Sequence, residues 1–248
     1  MQKTPILQSQ IPTAQRDQAA ARLPAMQPVE ARSWITVDDA YAGQLAEKAR
    51  LIAEHRDRVI QSLPQAKDAL SELLTFVLAD IALRPDFAME GVGVRCPDGR
   101  LVIPDTHDPL GTLAQLVQED MCLLQKIGDE HVLTAGLLCF PAAWTLSEKI
   151  GRRLTGIHVP VKVYDDNIAR RVQRLFDGVQ PGRALWRANY LRYDDPALFQ
   201  PYTEAQRRKV GTDASPYERS ERQTVLRLPG TGAVLFAIHT TVVSRVTD

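Results

Sequence analysis

Cysteine is scarce in this sequence. Cys96, Cys122 and Cys139 are three in number and form no C-x-x-C pair, so neither a disulfide framework nor a cysteine zinc site is indicated, and they read as reduced core residues. Net charge is missing too. Thirty Lys and Arg balance thirty Asp and Glu, and without a basic stripe or a block of like charge the chain is not expected to bind nucleic acid. No apolar run approaches the roughly 18 to 20 residues that span a bilayer, and the opening MQKTPILQSQIPTAQRDQAA has no long apolar region of a secretory signal. No membrane is therefore expected, and the expected location is cytoplasmic.

Several chemistries lack their motifs. GVGV at residues 91–94 has no third glycine of a dinucleotide fingerprint, and neither a G-x-x-x-x-G-K-[ST] loop nor a G-x-S-x-G elbow occurs. The five histidines, His55, His107, His131, His158 and His239, never fall at H-x-x-x-H spacing, which argues against a helix-borne zinc site. Asp165-Asp166 and Asp194-Asp195 read as turn and cap residues rather than an acid/base couple.

What is present is an ordinary globular composition: 248 residues, 44% hydrophobic, enough to bury a substantial core. Residues 1–33, rich in Gln, Ala and Pro, read as a loosely held extended arm free to drape over the domain or a partner, and 34–248 as a single domain that begins with helices. A long helix is expected from Thr36, capped by Asp38 or Asp39, with Tyr41, Leu45 and Ile52 on its apolar side. Leu70, Leu73, Leu74, Val77, Leu78 and Ile81 mark a second, which Arg84-Pro85 should end.

The period then changes. GVGVRCPDGRLVIP and DMCLLQKIGDEHVLTAGLLCF read as antiparallel hairpins about Pro97-Asp98-Gly99 and Gly128-Asp129. A short helix is expected over Thr145–Gly156, with Thr145 and Glu148 in capping-box positions and Arg152 and Arg153 in its last turn. DDNIARRVQRLFDGVQ follows as a helix, then ALWRANYLRY, RQTVLRLP and GAVLFAIHTTVV as strands. The fold class is α+β, an antiparallel sheet with flanking helices.

The segments SWITVDDAY, LVQEDMCLL, LLCFPAAWTLSEKIGRRLTGIHVPV, WRANYLRY and ERQTVLRLPGTGAVLFAIHTTVV, in this order, resemble the alpha-subunit family of heme-dependent oxidative N-demethylases from about Trp34 onward. Glu221-Arg222-Gln223 followed by Arg227-Leu228-Pro229 is the most specific part of the likeness. The resemblance implies heme b in a PAS-like fold, small secondary or tertiary amines such as dimethylamine as substrates, molecular oxygen, and formaldehyde as the released carbon. It also implies electrons from NADPH through a separate flavin reductase subunit, which agrees with the missing nucleotide motifs, and the chain is expected to be oligomeric.

An oxygen-activating heme needs an axial ligand, cations for its propionates and an apolar slot. His158 lies between Arg152-Arg153 and Val159-Pro160, in backbone expected to be extended, and is the candidate iron ligand; the alternative is a hydrogen-bonded core histidine pinning a corner. His239 is the competitor, placed near the site where the family pattern expects arginine. Arg222 and Arg227, with Arg152 and Arg153, are propionate candidates, although the last two would also suit a solvated helix end. Trp144, Trp186 and Tyr190 are candidate aromatic faces for an ammonium, Tyr190 being taken as a pocket residue, and each would equally suit a core. Lys149 and Glu221 are candidate proton relays, or else solvated residues and helix-to-strand ties. Two functions follow: a heme-dependent N-demethylating oxygenase component, or a non-catalytic PAS-like heme sensor or accessory subunit.

Overall fold

The computed structural model describes residues 4–20, 25–30, 32–158, 166–206 and 208–245, without the side chains of residues 158 and 166–169. In chain order the elements are α1 (Thr13–Ala19), β1 (Gln27–Pro28), α2 (Tyr41–Val59), β2 (Ile60–Ser62), α3 (Lys67–Ile81), β3 (Ala88–Glu90), β4 (Gly93–Arg95), β5 (Leu101–Val102), α4 (Pro109–Leu116), β6 (Asp120–Ile127), β7 (Glu130–Leu137), α5 (Leu154–His158), α6 (Asp166–Gly178), β8 (Leu185–Tyr193), β9 (Tyr217–Arg227) and β10 (Val234–Ser244).

The apolar stripes account for the helices. Tyr41, Leu45 and Leu51 bury one side of α2, and the Asp38 carboxylate accepts from the Ala40 amide just before its start. Leu70, Leu73, Leu74, Val77 and Ile81 bury one side of α3, which stops at Ile81, short of the expected Pro85 boundary. α4 was not anticipated, although its signals are present: Asp108 caps it through the Gly111 amide and Pro109 occupies its first turn.

Seven strands form one antiparallel sheet in the order β1-β8-β9-β10-β6-β7-β2, and β3, β4 and β5 form a second, smaller one. Because successive strand residues face opposite sides, the large sheet divides its side chains between two cores. Leu123, Leu226, Leu235 and Ala237 join α2, α3 and α4 on one face. Cys122, Leu124, Val225, Val234 and, partly buried, Phe236 turn to the other, where α5 and α6 pack. A register shift at Leu123/Leu124 sets Leu124 opposite Leu133 and Leu123 opposite Ala135. The extra residue, Thr134, changes the alternation of β7, so Leu133 belongs to the second core while Ala135 and Leu137 belong to the first.

Two expectations are corrected. The helix expected over Thr145–Gly156 is a turn about Leu146–Ile150, after which Arg153 bridges Val132 and only Leu154–His158 is helical. The Thr145 hydroxyl does meet Glu148, at 2.9 Å, but the Gly151 amide donates to the Leu133 carbonyl and ends the turn on the sheet. His158 accordingly closes a helix instead of lying in extended backbone. The N-terminal arm lies over the domain: Gln8 and Val242 exchange backbone and side-chain hydrogen bonds of 2.9 and 2.8 Å, and Ser220 donates to Gln15 at 2.8 Å.

Candidate active site

Between the second face of the large sheet and the segments that cross it lies a cavity of about 640 Å³. Its apolar wall is built by alternation from Cys122 and Leu124 of β6, Leu133 of β7, Val225 of β9, and Phe236 and Ile238 of β10; Leu154, Ile157, Val172 and Phe176 of α5 and α6 lie against them. At the other end β8 and β9 present Arg187, Asn189, Glu221 and Gln223, and Trp144, Lys149, Tyr202 and Glu204 complete the rim. The volume and the mixture of apolar wall with a few convergent polar groups suit a small-molecule or cofactor site.

Glu221 is 5% exposed and held from several sides. Asn189 faces it across the ladder, donating Nδ2 to its Oε2 at 2.8 Å and accepting the Glu221 amide at 2.8 Å. Gln223 Nε2 donates to the same oxygen at 3.3 Å, and the buried Arg219 lies 3.5 Å from Oε1. Arg219 also donates to the carbonyls of Phe140 and Leu198, at 2.6 and 3.1 Å. It therefore ties the carboxylate to the loop that carries Trp144, in which Ala143 takes a left-handed φ of 77°.

At the rim, Lys149 Nζ donates to the Ile157 carbonyl at 2.9 Å and to Glu204 at 2.8 Å, fixing α5 to the 201–206 segment. That bond holds the Glu204 carboxyl below its ordinary range. Arg152 reaches Glu204 from outside at 3.0 Å.

Among the sequence candidates, Lys149 and Glu221 meet at this cavity; most of the others do not. Strand alternation turns Tyr190, Arg222 and His239 to the opposite face. There Tyr190 accepts from Arg16 at 3.2 Å, Arg222 donates to the Ser33 carbonyl and stacks 5.1 Å from the Trp186 ring centre, and His239 Nε2 lies 3.0 Å from Asp38. Arg227 is engaged elsewhere: its guanidinium donates to the carbonyls of Phe176, Val179 and Gly232 at 2.6 to 2.7 Å and so closes the C-terminal end of α6. Arg153 is exposed beside Glu130 and Asp129. The His158 side chain lies outside the described residues.

Arg187 and Asn189 were missed. The signal was in WRANYLRY, where Arg187 and Asn189 stand two apart and so share a face, but alternation alone does not say which face meets a cavity and which meets the arm. Trp144 is the aromatic candidate that reaches the cavity. Among the described residues no group of three or more His, Cys, Asp or Glu could hold a metal ion, and no helix is long and apolar enough to cross a membrane.

Residues 25–247 match the family described as "Haem-dependent oxidative N-demethylase, alpha subunit-like". The match covers nearly the whole chain, including every strand of the large sheet and every wall of the cavity. The chain belongs to the heme-dependent oxidative N-demethylase alpha-subunit-like family.

Proposed function

We propose that this chain is the oxygenase component of an oxidative N-demethylase, binding heme b in the 640 Å³ cavity within a PAS-like fold and releasing formaldehyde from a small secondary or tertiary methylated amine. The observation that carries the reading is a single cavity wall that is apolar from Leu124 to Phe236 yet ends at Glu221 and Asn189. A macrocycle finds its slot at the first end, and an ammonium finds a carboxylate at the second. Arg187 Nε, buried without a hydrogen-bond partner, adds a cationic donor of the kind an acidic cofactor needs.

His158 is the proposed axial ligand. Leu154 lines the cavity from α5, and position 158, four residues later, returns to the same stripe of that helix. Cys122 is the weaker choice, since burial pushes its thiol far above the usual range.

When bound, the heme supplies the oxidation of an N-methyl carbon by oxygen, with electrons from NADPH through a flavin reductase subunit. The remaining steps fall to side chains of this chain. Glu221, fixed by Asn189 and Arg219, holds the ammonium at the polar end. Collapse of the carbinolamine to amine and formaldehyde takes a proton from its hydroxyl and gives one to its nitrogen, and Glu221 is the carboxylate placed to exchange both. Lys149 keeps the rim closed by tying α5 to Glu204.

The test is formaldehyde release from dimethylamine, trimethylamine and longer N-methylamines by the heme-loaded protein with NADPH and a flavin reductase. Stoichiometric formaldehyde with at least one amine supports the enzyme. Full heme loading with no formaldehyde from any amine, while the reductase is shown to reduce the heme, leaves the sensor or accessory-subunit reading instead.

A further inference from the structure

One guanidinium in the cavity wall has no side-chain partner among the described residues. Arg187 stands on β8 opposite Gln223, two rungs from the Asn189/Glu221 pair and two from Leu185/Val225 and so on the same face as both, at the boundary between the polar end and the apolar wall. Its hydrogen bond is a 3.5 Å contact from Nη2 to the neighbouring Ala188 carbonyl, and its Nε is buried with nothing to donate to. Among the described residues no carboxylate lies within 4.0 Å of it. Burial pushes its pKa down, and the nearby charge of Glu221 only partly opposes this.

The neighbouring arginines are engaged. Arg219 spans two carbonyls and Glu221, Arg227 closes α6, and Arg208 lies 3.9 Å over the Tyr193 ring centre while donating to the carbonyls of Arg192 and Lys209. A half-buried guanidinium with a buried, unsatisfied Nε is left with donors to fill, and its five N–H donors match a carboxylate in two-pronged fashion.

We infer that Arg187 is the anchor for a carboxylate carried by the cavity's ligand, so that the ligand's apolar body lies along Val225, Phe236, Leu133 and Leu154 while its acidic edge meets the β8/β9 ladder. The assignment rests on the heme reading, in which the carboxylate is a propionate.

Protoheme and its dimethyl ester, identical except that the ester masks both carboxylates, separate this role from general packing. Apo-protein and the Arg187→Met and Arg187→Lys variants are titrated with each porphyrin, followed by the Soret band, and their thermal midpoints are measured without heme. Wild-type protein is expected to favour protoheme over the ester by tenfold to a hundredfold, the size of a charge-assisted hydrogen-bond pair. Arg187→Met is expected to lose that preference by weakening protoheme binding alone, and Arg187→Lys to keep part of it. The apo Arg187→Met protein should melt no lower than wild type, since it loses a half-buried charge held by a single 3.5 Å backbone contact.

Equal protoheme affinity in wild type and Arg187→Met overturns the inference, as does a preference for the free acid that survives in Arg187→Met. A lower apo midpoint with both porphyrins weakened equally makes Arg187 a folding residue and also overturns it. Wild-type protein that binds neither porphyrin overturns the heme reading itself, and the propionate assignment with it.

Discussion

Glu221 sits where the ladder between β8 and β9 opens onto the cavity, with its oxygens oriented by Asn189 and Arg219. Glu221→Gln keeps the shape and the ladder but removes the proton exchange. It should lower formaldehyde release by about 10²- to 10⁴-fold while the Soret titration stays unchanged; unaltered turnover would confine Glu221 to a structural tie. Lys48 poses a different problem at the same scale. Its Nζ is fully buried, 3.1 Å from Asp120 and 2.7 Å from the Glu119 carbonyl, and Asp120 in turn accepts the Phe140 amide. Lys48→Met leaves a buried carboxylate uncompensated and should cost about 3–5 kcal/mol in urea unfolding, part of which Asp120→Asn should restore in the double variant. Glu221 was legible because it belongs to a specific sequence match. Lys48 was not, because a lysine in AEKAR reads as a solvated helix position, and only the packing of α2 against β6 shows that Gln44 and Lys48, one turn apart, are both buried.

Among elements, the long strands and the two long helices followed from their periods, whereas the short strands β1, β2 and β3 and the connections did not. The turn from Leu228 to Ala233 shows why: Pro229 and Gly230 announce a turn, but its stability comes from α3, 158 residues away. Glu72 accepts the Gly230 amide at 2.6 Å, the Thr231 amide at 2.7 Å and the Thr231 hydroxyl at 2.5 Å. Burial pushes the Glu72 carboxyl up, but the Thr231 hydroxyl and the two amides outweigh it and hold the group below its ordinary value. A carboxylate whose pKa is lower in the folded than in the unfolded chain stabilises fully above the unfolded value, about 4.3, and ceases to do so as the pH falls through the folded one. Glu72→Gln should therefore cost about 1 kcal/mol at pH 7, a figure reduced from that of a buried charged hydrogen bond because the site is open to solvent. Comparing urea midpoints at pH 7 and pH 3 should show the difference between variant and parent shrinking at the lower pH; an equal difference at both would mean that the carboxylate charge contributes nothing. The misread helix after Thr145 has the same origin. Its Thr145 and Glu148 side chains bond each other instead of the backbone amides, and the Gly151 amide is taken by β7, a competition that no local pattern records.

At the scale of the whole molecule the large sheet has two differently used faces, and this arrangement was the least legible. Alternation fixes which residues share a face and is silent on which face holds the cavity, so the strands of His239, Arg222 and Tyr190 could be read while their turning away from the cavity could not. The far face is occupied partly by helices and partly by the N-terminal arm, whose residues 1–24 lie outside the matched residues 25–247. Gln8, 5% exposed, satisfies Val242 on both its amide and its carbonyl, donates to Thr240, and shares Asp38 with His239. A glutamine-rich segment reads as loose because its composition offers little apolar surface; here its amides instead complete backbone groups of β10 beyond Ile238, where pairing with β6 stops. Deleting residues 1–20 should leave those groups and the Asp38/His239 pair short of partners, lowering the thermal midpoint by several degrees, as a loss of about 1–3 kcal/mol would in a chain of this size. Protoheme affinity should not change, because every contact made by Gln8, Gln15 and Arg16 lies across the sheet from the cavity. Unchanged heme titration with a lower midpoint would confirm that the two faces act independently; a matching loss of heme affinity would mean that the arm supports the cavity through the sheet, and the division of labour between the faces would fail.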